Sequence, residues 1–126
     1  MKPEQILTEH APAPIGPYSQ AIQIGNELFC SGQIPLDPKT GQLVDGDAGA
    51  QTERVLENLG AVLCAAGYQY VDVIKTTIFL IDMSDFSAVN AVYERYFNAN
   101  KPARSTVAVA ALPRGARVEI DCIART

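Results

Sequence analysis

Thr76-Thr77-Ile78-Phe79-Leu80-Ile81 (TTIFLI) decides the fold of this chain of 126 residues. It is the centre of segment 71–82, which is rich in β-branched residues and is therefore predicted to be a strand. Apolar side chains do not alternate with polar ones along it, and the same holds for Thr106–Ala111 (TVAVAA). Strands that are apolar on both faces are typical of a sheet that is covered on both faces.

Two amphipathic helices are predicted on either side of this strand. The first covers about 48–66, where Asp47 can cap the N-terminus and Gly67 ends the helix. The second covers about 84–97, and Pro102 prevents its continuation. The stripes at spacings of three and four residues consist of Val55, Leu59, Val62, Leu63 and Ala66 in the first helix, and of Phe86, Val89, Asn90, Tyr93 and Phe97 in the second.

The other predicted strands lie near the two ends of the chain. Residues 19–24 and 27–31 form a hairpin around Gly25-Asn26, and residues 104–111 and 117–125 flank a turn at 113–116. The order β-β-α-β-α-β-β predicts an α+β fold, with two helices on one face of a mixed or antiparallel sheet. At this length the whole chain, 1–126, is predicted to be one domain.

The apolar strands also predict an oligomer. Two helices can cover one face of a sheet of about five strands, and no other segment is available for the second face. A second copy of the chain must then cover it. We therefore expect a homo-oligomer in which sheets pack against each other.

Composition excludes several classes of protein. The formal net charge is −4 and the isoelectric point is near 4.8, which argues against nucleic acid or an anionic membrane as the main partner. The apolar runs are far too short to span a bilayer, and the first residues, MKPEQILTEHAPAP, lack the apolar stretch of a secretory signal. A cytoplasmic protein is expected.

The cysteines predict neither a metal site nor a disulfide. Cys30, Cys64 and Cys122 form no CxxC pair, and a single histidine, His10, cannot complete a zinc site with them. An odd number of cysteines fits a reducing compartment. All three are predicted to be buried core residues.

The charge is distributed unevenly along the chain. Residues 1–100 carry a net charge of −7, whereas residues 101–126 carry +3. Arg104 precedes the apolar run 107–112, and a cation in such a position is either paired or binds an anion. The planar fork of arginine matches a carboxylate or a phosphate.

Asn90 and Glu119 each have two interpretations. Asn90 lies within an apolar helical stripe, and a buried amide bonded to the backbone is favoured over a ligand contact. Glu119 is either an exposed strand acid or a general base near Arg104. If the last two strands pair as a hairpin, Glu119 lies opposite 109–111, so that Arg104 and Glu119 would meet across a subunit boundary. The residues by themselves predict an anion site at an interface.

Five separated motifs, which cover essentially the whole chain, carry a family resemblance. They are PARSTVAVAAL (102–112) followed by PRGAR and Val118-Glu119-Ile120, APAPIGPYSQA (11–21), SGQIPLDPKTG (31–41), VIKTTIFL (73–80), and Asp85-Phe86 with Asn90 and Tyr93. On these motifs the chain resembles the RidA (YjgF-type) family of imine deaminases.

The resemblance implies a chorismate-mutase-like fold and a homotrimer with a central barrel of sheets and with sites between subunits. It implies hydrolysis of 2-imino acids to 2-keto acids and ammonia without a cofactor or a metal, which protects enzymes that use pyridoxal phosphate. Arg104 matches the carboxylate-binding arginine, and Glu119 matches the acid that holds the attacking water. The pocket-lining positions are Tyr18, Ser31, Gly32 and Asn90. The backbone of Arg104 and Thr106 matches the groups that contact the substrate nitrogen, and many relatives have cysteine in place of Thr106.

The sequence is also compatible with three other functions. The first is a non-enzymatic trimer that binds a small carboxylate through Arg104. The second is a chorismate-mutase-type isomerase, for which Arg117 is the other candidate to hold a second carboxylate. The third is a nuclease or translation inhibitor, which the net negative charge disfavours.

Overall fold

Six strands and two helices make up the fold, and the computed structural model describes all residues 1–126. The strands are β1 (Glu4–Ile6), β2 (Ala21–Ile24), β3 (Glu27–Gln33), β4 (Val73–Leu80), β5 (Ala103–Ala108) and β6 (Val118–Arg125). The helices are α1 (Ala48–Ala65) and α2 (Phe86–Phe97), and short 3₁₀ turns lie at Tyr70–Asp72, Met83–Asp85 and Pro113–Gly115. The predicted α+β class is confirmed. The structure has one strand more than predicted, β1. This strand has only three residues and lies in a polar segment, so that the sequence pattern does not reveal it.

All six strands belong to one mixed sheet in the order β1-β2-β3-β6-β4-β5. Strands β4 and β5 are parallel, and every other neighbouring pair is antiparallel. The last two strands do not pair as a hairpin, because β4 lies between them. Helix α2 returns the chain to the free edge of β4, so that β6 enters the sheet on the other side. Glu119 consequently lies opposite Phe79.

Local signals define α1 at both ends. Asp47 Oδ1 accepts a hydrogen bond of 2.9 Å from the N–H of Ala50, which caps the N-terminus. Gly67 follows the helix at a φ of +83°, and the N–H of Tyr68 returns to the carbonyl of Leu63 over 2.9 Å. Helix α2 begins later than predicted because Met83–Asp85 forms a 3₁₀ turn. Neither helix has the length and apolarity that crossing a membrane would require.

The core lies between the two helices and one face of the sheet. Its fully buried side chains include Leu56, Leu59 and Leu63 of α1, and Ile78 and Ile120 of the central strands. Cys30 and Cys122 are buried as predicted, whereas the prediction for Cys64 is wrong because this side chain is exposed. Cys64 follows Leu63 on the helix and therefore points away from the packed stripe.

The other face of the sheet carries an apolar patch that has no cover within the chain. Phe29 on β3 and Val107 on β5 are more than 40% exposed. Phe79 and Ile123 lie between them on the same face and are half-buried. The sequence predicts this second apolar face from the pattern of segment 76–81.

Candidate active site

Arg104 lies on β5 and extends towards α2 on the helix-covered face of the sheet. Its Nη1 donates a hydrogen bond of 2.7 Å to Oδ1 of Asn90. The guanidinium carbon lies 4.9 Å from the ring centroid of Tyr93 and 5.6 Å from that of Phe86. No carboxylate pairs with the guanidinium, so its remaining N–H groups are free to hold a planar anion.

Tyr93 is itself held in place, which makes it a rigid support for Arg104. Its hydroxyl shares a buried hydrogen bond of 2.7 Å with the hydroxyl of Thr76, the residue that pairs with Arg104 across β4 and β5. The Tyr93 ring packs against Phe97 at 4.6 Å between centroids. Burial raises the pKa of Tyr93, so the phenol remains neutral beside the arginine.

Asn90 differs from its favoured sequence interpretation. Its side chain is half-buried and accepts a hydrogen bond from Arg104 instead of bonding to the backbone. A cavity of about 460 Å³ opens beside the pair. It is lined by Asn90, Tyr93, Glu94, Phe97, Asn98, Lys101, Pro102 and Arg104.

The outer edge of β5 presents free backbone groups. Strand β5 is the last strand of the sheet, and it ends at Ala108, three residues earlier than predicted. The N–H of Val109 donates to the carbonyl of Leu80 on β4 over 2.7 Å. Because backbone groups alternate in direction along a strand, those of Arg104 and Thr106 point to the open edge. The Thr106 hydroxyl is buried without a hydrogen-bond partner.

Glu119 lies on β6, on the face of the sheet opposite to Arg104. Its carboxylate covers Gly32, where a Cβ atom would lie 2.9 Å from the carboxyl carbon. The register between β3 and β6 shifts between Cys30 and Gln33, which indicates a β-bulge at Ser31 and Gly32. A side chain at position 32 would therefore displace the carboxylate of Glu119.

Burial is the main cause that raises the pKa of Glu119, and the nearby carboxylate of Asp121 adds to it. A carboxyl group with a raised pKa is a better proton acceptor in its ionised form than an exposed glutamate. Glu119 is therefore suited to act as a general base on a bound water.

The N-terminal segment supplies the remaining wall of the Glu119 cavity, which has a volume of about 510 Å³. Buried Gln20 fixes this segment: its amide nitrogen donates to the carbonyls of Thr8 and Pro12, at 3.0 and 2.9 Å. Ser31 Oγ donates to the carbonyl of Ser19 over 2.6 Å. Tyr18 is half exposed and lines the same cavity. The sequence motifs do not reveal the role of Gln20, because its partners are all backbone groups, including the N–H of Thr8, which donates to its Oε1 over 2.7 Å.

One chain thus assembles two half-sites. The first contains Arg104, Asn90 and Thr106, and the second contains Glu119, Gly32, Ser31 and Tyr18. The half-sites lie on opposite faces of the sheet with β4 between their strands. The six predicted substrate-binding residues and Glu119 therefore each lie in one of the two half-sites. Within a single chain the two half-sites do not meet.

Arg117 is not available for a second carboxylate. Its Nη2 donates to both carboxylate oxygens of Asp85 at 2.9 Å, and its Nε donates to Oδ2 at 3.2 Å. The backbone N–H of Arg117 donates to buried Gln51 of α1 over 2.8 Å. These bonds tie the residue before β6 to α1 and to the turn before α2, and sequence reasoning misses them because the partners are far apart in the chain. No group of three His, Cys, Asp or Glu side chains is arranged to hold a metal ion.

Residues 8–126 match the family model described as endoribonuclease L-PSP, and the chain belongs to that family of small α+β proteins. A mouse protein named 2-iminobutanoate/2-iminopropanoate deaminase is 52% identical over 119 residues, covering 94% of this chain and 88% of the mouse protein. The resemblance to the RidA family is thereby confirmed.

Two solved structures share the fold along almost their whole length. A protein from Thermotoga maritima, described as a putative endoribonuclease, is 54% identical with a TM-score of 0.97, and the match covers 100% of this chain and 98% of that one. The E. coli protein TdcF with bound serine is 41% identical with a TM-score of 0.92, and the match covers 98% of each chain.

Proposed function

We propose that the protein is a hydrolytic deaminase that converts 2-imino acids, such as 2-iminobutanoate, 2-iminopropanoate and their enamine tautomers, to 2-keto acids and ammonia. The observation that carries the proposal is the position of the Arg104 guanidinium at an open sheet edge. Asn90 and two aromatic rings hold this group in place, and its remaining N–H groups are free. The name of the mouse relative supports the substrate class. Removal of reactive imines in the cytoplasm would protect enzymes that use pyridoxal phosphate.

Arg104 binds the carboxylate of the substrate in this proposal. Its fork donates two parallel charge-assisted hydrogen bonds, a geometry that lysine cannot reproduce. The outward backbone carbonyls of β5 at Arg104 and Thr106 accept hydrogen bonds from the protonated imine nitrogen. These contacts fix C2 of the imine relative to the water that attacks it.

Glu119 activates the water. The carboxylate takes one proton while the water oxygen bonds to C2, which is electrophilic once the imine nitrogen is protonated. The product is a tetrahedral carbinolamine. Glu119 returns the proton to the nitrogen, the C–N bond breaks, ammonia leaves, and loss of the hydroxyl proton completes the keto group. General acid–base help of this kind contributes roughly 10²–10⁴-fold.

The half-sites combine in a homotrimer. The half-site of Arg104 meets the half-site of Glu119 from a neighbouring copy, with the apolar sheet faces packed together. Three features support this arrangement: the half-sites lie on opposite faces, β5 has an open edge, and Phe29 and Val107 are exposed on the uncovered face. Neither nucleic acid nor a membrane is a partner in this proposal, in keeping with the net charge of −4.

The raised pKa of Glu119 favours an enzyme over a trimer that only binds small carboxylates, because binding a carboxylate does not require a second, half-buried carboxyl group. The ion pair of Arg117 with Asp85 disfavours an isomerase that needs two convergent arginines.

A coupled assay tests the proposal. A dehydratase that uses pyridoxal phosphate releases 2-iminobutanoate from threonine, and the rate of 2-ketobutanoate formation is followed with and without this protein. We expect a clear acceleration with the wild-type protein and none with Glu119→Gln. Arg95→Gln is the control, since Arg95 is an exposed cation that lines neither of the two cavities. Equal rates with and without wild-type protein would refute the deaminase.

A further inference from the structure

A second cavity lies on the helix side of the molecule, away from both half-sites. It has a volume of about 450 Å³ and lies between the C-terminal ends of α1 and α2 and the turn at 70–72. Three tyrosine side chains, Tyr68, Tyr70 and Tyr96, form much of its wall, together with Cys64 and Asn100. The proposed trimer packs through the opposite face of the sheet, so this cavity stays open to solvent.

Two buried polar atoms of the wall have no hydrogen-bond partner. They are the hydroxyl of Tyr68, a residue that is only 4% exposed, and Oδ1 of Asn100. The orientation of the Asn100 amide is unambiguous, because its Nδ2 donates to the carbonyls of Tyr70 and Val73 at 3.0 and 2.9 Å. The unpartnered atom of Asn100 is therefore an acceptor. An unpaired buried polar group costs about 1–3 kcal/mol, which a ligand with a suitable donor would recover.

Two of the three tyrosines in the wall, Tyr70 and Tyr96, are held in place. The Tyr70 hydroxyl donates to the carbonyl of Leu56 over 2.7 Å, and a Cβ on Gly60 would lie 2.6 Å from the Tyr70 ring. Tyr96 donates to the carboxylate of Glu57 over 3.0 Å, and its ring meets that of Tyr70 at 5.3 Å, edge to face. Of the three tyrosine hydroxyls, only that of Tyr68 is thus without a hydrogen-bond partner.

The lining of the cavity does not oppose a cation. None of its nine lining residues is charged, and Glu57 lies behind Tyr96. Helix α1 has no basic residue in its last turn, so the partial negative charge of its C-terminus is not compensated. Aromatic rings attract cations through their faces.

We propose that this cavity is a second ligand site and that it binds a small organic ammonium compound with an apolar body. The ammonium group donates to Oδ1 of Asn100 and to the hydroxyl oxygen of Tyr68, whose side chains adjust to admit it. The apolar body packs among the tyrosine rings. The ligand does not contact Arg104 or Glu119.

Benzylamine is a probe for this site, and Cys64 provides the readout. Cys30 and Cys122 are buried, so a thiol reagent such as 5,5′-dithiobis(2-nitrobenzoate) reacts with Cys64 in the folded protein. We expect benzylamine to slow this reaction in a saturable way and to raise the melting temperature. Benzoate and benzyl alcohol, which have the same ring but an anionic or neutral head, should have little effect.

Three variants make the test specific. Tyr68→Phe removes the unpaired hydroxyl without leaving a void, and we expect it to weaken benzylamine binding about fivefold. Val71→Lys places a cation on the exposed rim and should weaken binding by a similar factor, whereas the matched control Val71→Met should not. Arg104→Ala should bind benzylamine as the wild type does. The proposal is overturned if benzylamine gives no protection, as expected when the cavity holds only water, or if benzoate protects equally.

Discussion

Arg104 and Glu119 project from opposite faces of one sheet, and β4 separates the strands that carry them. Arg104 lies opposite Thr76, and Glu119 lies opposite Phe79 on the other side of the same strand. No rotation of either side chain brings the two groups to one substrate within a single chain. Any mechanism that uses both therefore requires a second copy.

Arg104→Ala should lower kcat/KM for 2-iminobutanoate by at least about thirtyfold, because truncating one partner of a desolvated charge pair costs roughly 2–5 kcal/mol. Arg104→Lys should retain only a trace of activity, since an ammonium group cannot form the two parallel bonds. Steady-state kinetics provide the measurement. Light scattering checks that the oligomer survives, and near-normal turnover by Arg104→Ala would contradict the assigned role.

Asn90→Ala should raise KM more than it lowers kcat, because the amide orients Arg104 and does not take part in the chemistry. The loss of one hydrogen bond to a charged group costs about 1.5–3 kcal/mol. Asn90→Asp should be worse than Asn90→Ala, since a carboxylate beside Arg104 competes with that of the substrate. If Asn90→Asp binds substrate as well as the wild type does, Arg104 does not hold the carboxylate.

The activity should decrease on acidification at a higher pH than an ordinary glutamate would give, because burial raises the pKa of Glu119 and only the ionised form accepts a proton. The measurement is kcat/KM against pH, corrected for uncatalysed hydrolysis. A profile that stays flat down to the pKa of an exposed glutamate would argue against Glu119 as the base.

The raised pKa of Glu119 should also make the free energy of unfolding depend on pH. A raised carboxyl pKa means that the native state binds more protons than the unfolded state between the two pKa values, so the free energy of unfolding falls as pH rises through that interval. Glu119→Gln should therefore be more stable than the wild type at pH 7. The difference should vanish below about pH 4, where both states are protonated. Urea unfolding at the two pH values measures it.

Light scattering should give a mass of about 40 kDa, three times the 13.5 kDa of one chain. Val107→Asp should reduce that mass, because it places a charge on the apolar sheet face where a second copy packs. Val71→Asp, an equivalent change at an exposed valine on the helix side, is the control and should remain a trimer. A wild-type mass of 13.5 kDa would refute the trimer.

Thr106→Val and Thr106→Cys should keep most of the activity, since the outward backbone groups make the proposed contact. Thr106→Val should also raise the free energy of unfolding by about 1 kcal/mol, because the hydroxyl that it removes is buried without a partner. Kinetics and thermal unfolding test the two halves of this prediction. A large gain in activity for the cysteine variant alone would show that a thiol at this position contributes to the reaction.

The local pattern of apolar, capping and turn residues was enough to predict most of the helices and strands of this fold. The stripe of α1, its cap at Asp47 and its stop at Gly67 are all contained within about twenty consecutive residues, and such short-range signals can be interpreted without a structure. The two-sided apolar character of Thr76–Ile81 likewise predicted a second face that nothing in the chain covers. Arg104 and Glu119 could be selected as candidates because charge type and motif are properties of the sequence.

Pairing between distant segments was decided only by the tertiary structure. Nothing near residues 113–116 indicates that β6 enters the sheet between β3 and β4, because strand neighbours depend on the path of α2 and on burial of the whole core. The same holds for the contact of Asn90 with Arg104 and for the ion pair of Arg117 with Asp85, each of which joins two different elements. A hydrophobic stripe shows which face of an element is buried. The partner of each polar group depends on how the elements are assembled in space.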